Sequence, residues 1–131
     1  MHTEIFDLGV FADELLQFVA VVAHFQKKWV FVKHKGRDTW ELPGGRREAN
    51  ETVGQAAARE LWEETGAKAF VMRPMLDYSV TRSDGVITYG RVFYAEIAEF
   101  ARLPQSEIGQ VALHDDLPEL LTYPEIQPRL F

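Results

Sequence analysis

The chain has 131 residues and a formal net charge of -6, from 14 Lys and Arg against 20 Asp and Glu. This length predicts a single domain over 1–131, and 47% hydrophobic residues exclude intrinsic disorder as the main description. The absence of cysteine excludes a disulfide scaffold, a thiol nucleophile and thiolate metal sites, and predicts a reducing, cytoplasmic location. The acidic balance argues against nucleic-acid polymers as partners, and the longest apolar run, 18–23, is too short to cross a membrane.

The first half of the chain predicts strands. Runs 18–25 and 29–33 are rich in β-branched and aromatic residues, and the polar segment 26–28 between them predicts a hairpin. A short apolar segment, 40–42, follows a polar loop, and we expect Pro43 and the two glycines after it to end that strand.

Segment 52–65 changes to helix formers. Thr52 and Gln55 have the spacing of a capping box, and Gly66 is placed to end the helix. Runs 69–82 and 86–98 then flank an Asp-Gly pair, which predicts a second hairpin, and 111–114 predicts a weak further strand.

The predicted helix carries three carboxylates on one face. Glu60, Glu63 and Glu64 fall within an arc of about 100°, where like charges destabilise a helix. Arg59 could pair with Glu63 or reach back to Glu51, but one guanidinium cannot neutralise all three. A bound cation explains the trio best, and a set of oxygen ligands selects Mg²⁺ or Mn²⁺. The alternative is a solvated acidic face.

A glycine loop precedes this helix. Pro43-Gly44-Gly45 leaves backbone amides and carbonyls free to approach a phosphate or its metal. Arg46 and Arg47 follow directly, where a polyphosphate could use them. The loop therefore strengthens the cation interpretation of the helix.

Residues 45–67 read GRREANETVGQAAARELWEETGA and resemble the Nudix box. That pattern is Gly, five residues, Glu, seven residues, Arg-Glu, an aliphatic, any residue, Glu-Glu, any residue, Gly and an aliphatic. The chain departs from it only at Ala67, where the family usually has a larger aliphatic residue. The matching positions are Gly45, Glu51, Arg59, Glu60, Leu61, Glu63, Glu64 and Gly66.

The resemblance implies an α+β Nudix fold, an αβα sandwich with a mixed, curved β-sheet. It implies hydrolysis of a diphosphate bond in a nucleoside diphosphate linked to another group, by water that Mg²⁺, or Mn²⁺ in its place, activates. The small size is similar to the branch that acts on nucleoside triphosphates, including 8-oxo-dGTP. The alternative is a Nudix-like sensor that binds nucleotides without turnover, for which a broken carboxylate set would be expected.

The resemblance also implies roles for particular residues. Glu60, Glu63, Glu64 and the carbonyl of Gly44 become metal ligands, and either Glu64 or Glu60 becomes the catalytic base. Arg59 and Glu51 become a supporting pair that orients the ligand carboxylates. Many family members add a carboxylate from a later loop, for which Glu107 is the candidate, with a plain surface glutamate as the alternative.

The substrate would be a small nucleotide. Arg46 and Arg47 are candidates for its phosphates, and Trp40 and Tyr78 for stacking on its base, although strand aromatics more often lie in a core. A basic cluster ahead of the glycine loop either binds phosphate or is a solvated charge run; its members are Lys33, His34, Lys35 and Arg37. The chain is expected to be a monomer or a homodimer.

Overall fold

The computed structural model describes residues 1–103, 108–118, 121–122 and 126–130. In this part of the chain, seven strands form one sheet, one long helix packs on it, and a single 3-10 turn lies at Asp13–Leu15. The strands are β1 His2–Phe6, β2 Phe18–Phe25, β3 Lys28–His34, β4 Gly44–Arg46, β5 Ala67–Thr81, β6 Ile87–Phe100 and β7 Ile108–His114. The helices are α1 Val53–Thr65 and the four-residue α2 Gln127–Leu130.

The sheet is mixed, as predicted. Its order is β1-β5-β6-β2-β3-β7, with β4 paired to β2. Strands β2 and β6 are parallel from Phe18↔Gly90 to His24↔Glu96, and the other pairs of named strands are antiparallel. Register shifts interrupt the β5–β6 pairing, and such irregularities bend a sheet.

Both ends of α1 form as the sequence predicts. The Thr52 hydroxyl accepts the N–H of Gln55 at 3.1 Å, and the Gln55 side chain accepts the N–H of Thr52 at 2.9 Å. Gly66 ends the helix in the left-handed conformation with φ 78°, which glycine adopts without steric cost. Strand β5 begins at the next residue, so the helix leaves directly into the sheet.

The core occupies both faces of the sheet. On one face, α1 contributes Ala57 and Leu61 to a buried cluster with β2, β3 and β6. On the other face, Phe31, Tyr78 and Leu130 belong to a second cluster, so α2 and the C-terminal segment cover that side. This helix, sheet, helix layering confirms the predicted α+β class and Nudix-type sandwich.

Both predicted hairpins are present. The predicted strand 40–42 forms only isolated bridges at Trp40 and Glu41, and the glycines after Pro43 do not end the strand pairing as expected. The chain continues through Pro43 into β4, which pairs with β2 from Ala20↔Gly44 to Phe18↔Arg46. A side chain at position 44 would collide with the carbonyl oxygen of Val19, so glycine permits this close pairing. The expectation was wrong because the glycines serve close strand approach rather than termination.

No described helix has the length and apolar character needed to span a membrane.

Strand β1 was not predicted; it pairs with β5 along one edge of the sheet. The loop after β1 is held by Asp77, which is fully buried and accepts the N–H groups of Gly9 and Phe11 at 3.1 and 3.2 Å. Arg91 neutralises this carboxylate at 2.6 Å.

Candidate active site

Two carboxylates of α1 lie against the backbone of the glycine segment, which forms the start of β4. The N–H of Gly44 donates to Glu64 Oε1 at 2.8 Å. A Cβ added at Gly45 would lie 2.6 Å from Glu60 Oε1, so only glycine allows the Glu60 carboxylate to approach so closely. The loop and the helix therefore form one site, as the Nudix box implies.

Arg59 is the centre of the charged network. Its Nε and Nη2 donate to the two oxygens of Glu51 at 2.6 and 3.0 Å, a bidentate pair. Its Nη1 donates to Glu60 at 2.8 Å and to Glu63 at 3.2 Å, and Nη2 also reaches the carbonyl oxygen of Arg46. The hydrogen bond from Arg59 lowers the pKa of Glu51, and Glu51 in turn raises the pKa of Arg59 further above its usual range. Arg59 thus ties the loop to the helix.

Glu64 lies apart from this pairing. Its side chain is 9% exposed, and burial raises its pKa to about 8 against the opposing hydrogen bond from Gly44. The nearby Glu60 raises it further. Burial also raises the pKa of Glu60, but there the Arg59 hydrogen bond opposes the shift. Glu64 is therefore the carboxylate whose ionised form gains most from an added cation.

The donor set fits a hard divalent cation. Among the described residues, five carboxylates each lie within 3.4 Å of one of two guanidinium groups or of His34. If all five are ionised and His34 also carries a charge, the negative charges exceed the positive charges by two. A cation would have to draw Glu60 and Glu63 away from Arg59, since no three acidic or histidine side chains of the described chain already converge as a metal cage. The carboxylates and their partners are Glu41, Glu51, Glu60, Glu63, Glu64, Arg37, Arg59 and His34.

The expected substrate residues flank this network. Arg46 is exposed, with its guanidinium carbon 5.1 Å from the centre of the Phe18 ring. Arg47 is partly buried, and its backbone N–H donates to the backbone carbonyl of Gln17. Lys33 Nζ lies 4.4 Å from the centre of the Trp40 ring, so it covers one face of the ring that was expected to stack on a base. Their roles toward a substrate stay predictions.

Other aromatic and acidic candidates have different outcomes. Tyr78 is only 7% exposed and packs in the second core cluster, so it is a core residue rather than a base platform. Trp62 is 47% exposed on α1, so much of its side chain lies outside the core. Glu107 lies outside the described residues, and its role as an additional ligand stays a prediction.

Sequence reasoning missed Glu41 as a site residue. It considered His34 for the phosphates, for reading the base or as an acid, with a structural histidine as the alternative, and did not connect it with the metal ligands. Glu41 is a charged residue in an apolar segment, and the residue as a whole is only 7% exposed. Arg37 Nη1 lies 3.4 Å from Glu41 Oε2. His34 Nε2 lies 3.0 Å from Glu41 Oε1 and 3.3 Å from Glu64 Oε2. The one available signal was a charged residue between Trp40 and Leu42 directly before the glycine loop.

The family is established by comparison with known proteins. The model of the NUDIX domain matches residues 15–125, which include every strand except β1. "Putative 8-oxo-dGTP diphosphatase YtkD" of Bacillus subtilis is 33% identical over 119 residues, which cover 89% of this chain and 73% of that protein. The chain therefore belongs to the Nudix family, as one of its pyrophosphohydrolases.

Two further relatives bear on this assignment. The crystal structure of the Bacillus subtilis pyrophosphohydrolase BsRppH superposes with a TM-score of 0.78 at 27% identity, covering 95% of this chain and 79% of that one. Phosphatase NudJ of Escherichia coli is 49% identical over 53 residues, which are 39% of this chain and 35% of NudJ. The similarity to NudJ thus spans about a third of that protein.

The raised pKa of Glu64 predicts how metal-free stability depends on pH. The folded protein holds a proton on Glu64 up to about pH 8, whereas the unfolded chain releases it near 4.5. This contribution is complete below pH 4.5 and is lost as pH rises from there to about 8, at about 1.4 kcal/mol per pH unit. We expect urea unfolding with a chelator present to show a falling free energy of unfolding from pH 5 to 8, and a shallower fall in Glu64→Gln. Equal slopes for the two proteins would contradict this.

Proposed function

We propose that this enzyme hydrolyses a diphosphate bond in a nucleoside diphosphate-linked substrate with Mg²⁺, for which Mn²⁺ can substitute. We further propose that the substrate is a nucleoside triphosphate, in particular a modified one such as 8-oxo-dGTP. The observation that carries the metal dependence is the excess of carboxylates over cations around Arg59 and Glu64. The similarity to YtkD supports the substrate class.

The metal would be held by Glu60, Glu63, Glu64 and the carbonyl oxygen of Gly44, with Glu107 as an additional ligand. When bound, the metal would lower the pKa of a coordinated water and neutralise charge on the phosphate oxygens. In the proposed hydrolysis, a water oxygen would bond to phosphorus, the bond from phosphorus to the bridging oxygen would break, and a carboxylate of this chain would take the proton of the water. Only one oxygen of Glu60 has a described hydrogen bond, from Arg59, so its Oε2 is available for the metal or the proton. Glu64 is the other candidate base.

Arg59 and Glu51 would orient the reacting groups. Because Arg59 binds both oxygens of Glu51, its guanidinium plane is fixed, and Nη1 then holds Glu60 at 2.8 Å. The same guanidinium bonds the carbonyl of Arg46, which connects the catalytic helix to the first residue expected to bind phosphate. Removing Glu51 would release Arg59, so we assign the pair to orientation rather than to bond-making.

Basic side chains around the acidic centre would bind the phosphates that the metal does not contact. Arg46 ends β4 and Arg47 follows it, directly after the glycine that Glu60 approaches. Lys33 lies in β3, and Arg37 contacts Glu41 at 3.4 Å. Trp40 is proposed for the base, on the ring face that Lys33 does not cover. The cysteine-free sequence supports a cytoplasmic location for the enzyme.

A substrate screen tests this function. The protein is incubated with Mg²⁺ and three groups of compounds: nucleoside triphosphates including 8-oxo-dGTP, nucleotide sugars, and dinucleoside polyphosphates. We expect nucleoside triphosphates to give the monophosphate and pyrophosphate, with incorporation of one oxygen from ¹⁸O-labelled water, and a chelator to abolish turnover. Chromatography and mass spectrometry identify the products.

Three outcomes would count against parts of the proposal. Turnover of nucleotide sugars alone would contradict the proposal that nucleoside triphosphates are the substrates. It would still be consistent with diphosphate hydrolysis by this enzyme. Nucleotide binding without any turnover would favour the sensor alternative. Unchanged turnover after complete removal of divalent metal would contradict the role assigned to Glu60, Glu63 and Glu64.

A further inference from the structure

His34, the last residue of β3, lies between two buried carboxylates. Its Nε2 is 3.0 Å from Glu41 Oε1 and 3.3 Å from Glu64 Oε2, and both glutamate side chains are 9% exposed. Both are close polar contacts, and neither has the geometry of a good hydrogen bond. When Glu41 and Glu64 are ionised, as beside a bound cation, both oxygens are acceptors, and a histidine that carries a proton on Nε2 can donate to them in either charge state.

The fold fixes Glu41 in this position. The backbone N–H of Glu41 donates to Val32 and the N–H of Val32 donates back, both at 2.9 Å. Directly paired residues project from the same face of a sheet, and His34 is two residues beyond Val32 on that face. The pairing of β3 with β7 shifts register between Lys33 and His34, where Gly109 of β7 is the extra residue, so β3 itself continues to His34.

The consequence is that each oxygen of Glu64 lies close to a nitrogen atom of another segment. Oε1 accepts the N–H of Gly44 at 2.8 Å, and Oε2 faces His34 at 3.3 Å. A carboxylate has about four lone-pair positions, so two donors set the plane of the group and leave lone pairs for a cation. Behind His34, the other oxygen of Glu41 is 3.4 Å from Arg37 Nη1, which keeps Glu41 from turning away.

We propose that His34 and Glu41 are positioning residues, in which Glu41 holds the His34 ring and the Nε2–H of His34 orients Glu64 for the divalent cation. This inference rests on the proposed metal-dependent function. It also gives an interpretation of the basic cluster, because an anionic phosphate at His34 Nε2 would meet two buried carboxylates. Within that cluster, His34 therefore serves the metal site rather than the phosphates.

The test is Mn²⁺ binding measured by isothermal titration calorimetry without nucleotide at fixed pH. We expect His34→Leu to weaken Mn²⁺ binding about ten- to a hundredfold, since this is the usual effect of losing a group that orients a ligand. His34→Gln retains an N–H donor at a similar reach and should restore the affinity to within about threefold of wild type. Glu41→Leu should weaken binding as His34→Leu does.

The matched control is His24→Leu. His24 is also a strand histidine beside a carboxylate, 2.7 Å from Glu96, with 21% of its side chain exposed against 19% for His34. Its replacement should leave Mn²⁺ affinity unchanged, whereas a general effect of losing a strand histidine would weaken binding in both variants and overturn the proposal. Melting temperatures without metal show which variants are folded.

Wild-type affinity in folded His34→Leu overturns the proposal and leaves the hydrolase assignment intact. If His34→Leu does not fold, the comparison of Glu41→Leu and His34→Gln with wild type decides in the same way. The proposal is also overturned if His34→Gln does not recover Mn²⁺ affinity, because an N–H donor at position 34 would then not be the cause of the tighter binding. A wild-type protein that neither binds Mn²⁺ nor hydrolyses nucleotides overturns this inference together with the proposed function.

Discussion

Glu64→Gln and Glu63→Gln are each expected to lower kcat by at least about a hundredfold. The loss of one ligand charge weakens binding of the metal ion that stabilises the transition state. The two residues differ in setting, since Glu64 is 9% exposed and Glu63 is 41% exposed beside Arg59. The amide introduced by Glu64→Gln would also place an N–H group against His34 in one of its two orientations, which removes the orienting contact as well as the charge. Steady-state kinetics at saturating substrate and limiting Mg²⁺ measure the loss.

The fold should survive both substitutions. Replacing Glu63 removes a negative charge from α1, and Gln at position 64 resembles the protonated carboxyl that the metal-free folded protein holds below about pH 8, so the metal-free free energy of unfolding should stay level or rise slightly. Glu99→Gln is the matched control, because Glu99 is an exposed glutamate on β6 that pairs with Lys68 at 2.9 Å and should leave kcat unchanged. Full activity of both site variants would contradict the assignment of Glu63 and Glu64 as metal ligands.

The features that the sequence predicted correctly are local in the chain. The start of α1 depends on two residues three positions apart, Thr52 and Gln55, and its end depends on Gly66 alone. The pairing of Arg59 with Glu51 likewise follows from a short segment, because the loop and the first turns of α1 bring position 51 back to position 59. Such contacts need only the local conformation, so spacing along the sequence predicts them.

The missed features depend on contacts between distant segments. Glu41 and Glu64 are 23 positions apart and meet only through the sheet and α1, with His34 between them. Likewise, Asp77 anchors the loop after β1 from the middle of the chain, at Gly9 and Phe11. A buried carboxylate is costly without such partners, but nothing in the local pattern says where the partners are. Position-by-position interpretation therefore finds the carboxylate trio and the Arg59–Glu51 pair, and misses the contacts of His34 and Glu41 at Glu64.

The charge excess of the site links metal binding to folding. Arg59 contacts Glu60 and Glu63, but Glu64 is left to Gly44 and His34, and its pKa rises to about 8. A divalent cation would supply the missing positive charge only in the folded protein, because the unfolded chain does not hold the three carboxylates together. Binding to the folded state alone raises apparent stability in proportion to the logarithm of ligand concentration.

We therefore expect Mg²⁺ or Mn²⁺ to stabilise the wild type by about 2.7 kcal/mol at 100 times the dissociation constant, which raises the melting midpoint by several degrees. The shift should be larger with a nonhydrolysable nucleotide, because phosphate oxygens complete the coordination of the cation. It should disappear when Glu60, Glu63 and Glu64 are all replaced by Gln. Differential scanning calorimetry of both proteins, with and without metal, measures it. The same melting response in wild type and triple variant would mean that this acidic face is only solvated, and would remove the physical basis for metal-dependent hydrolysis at this site.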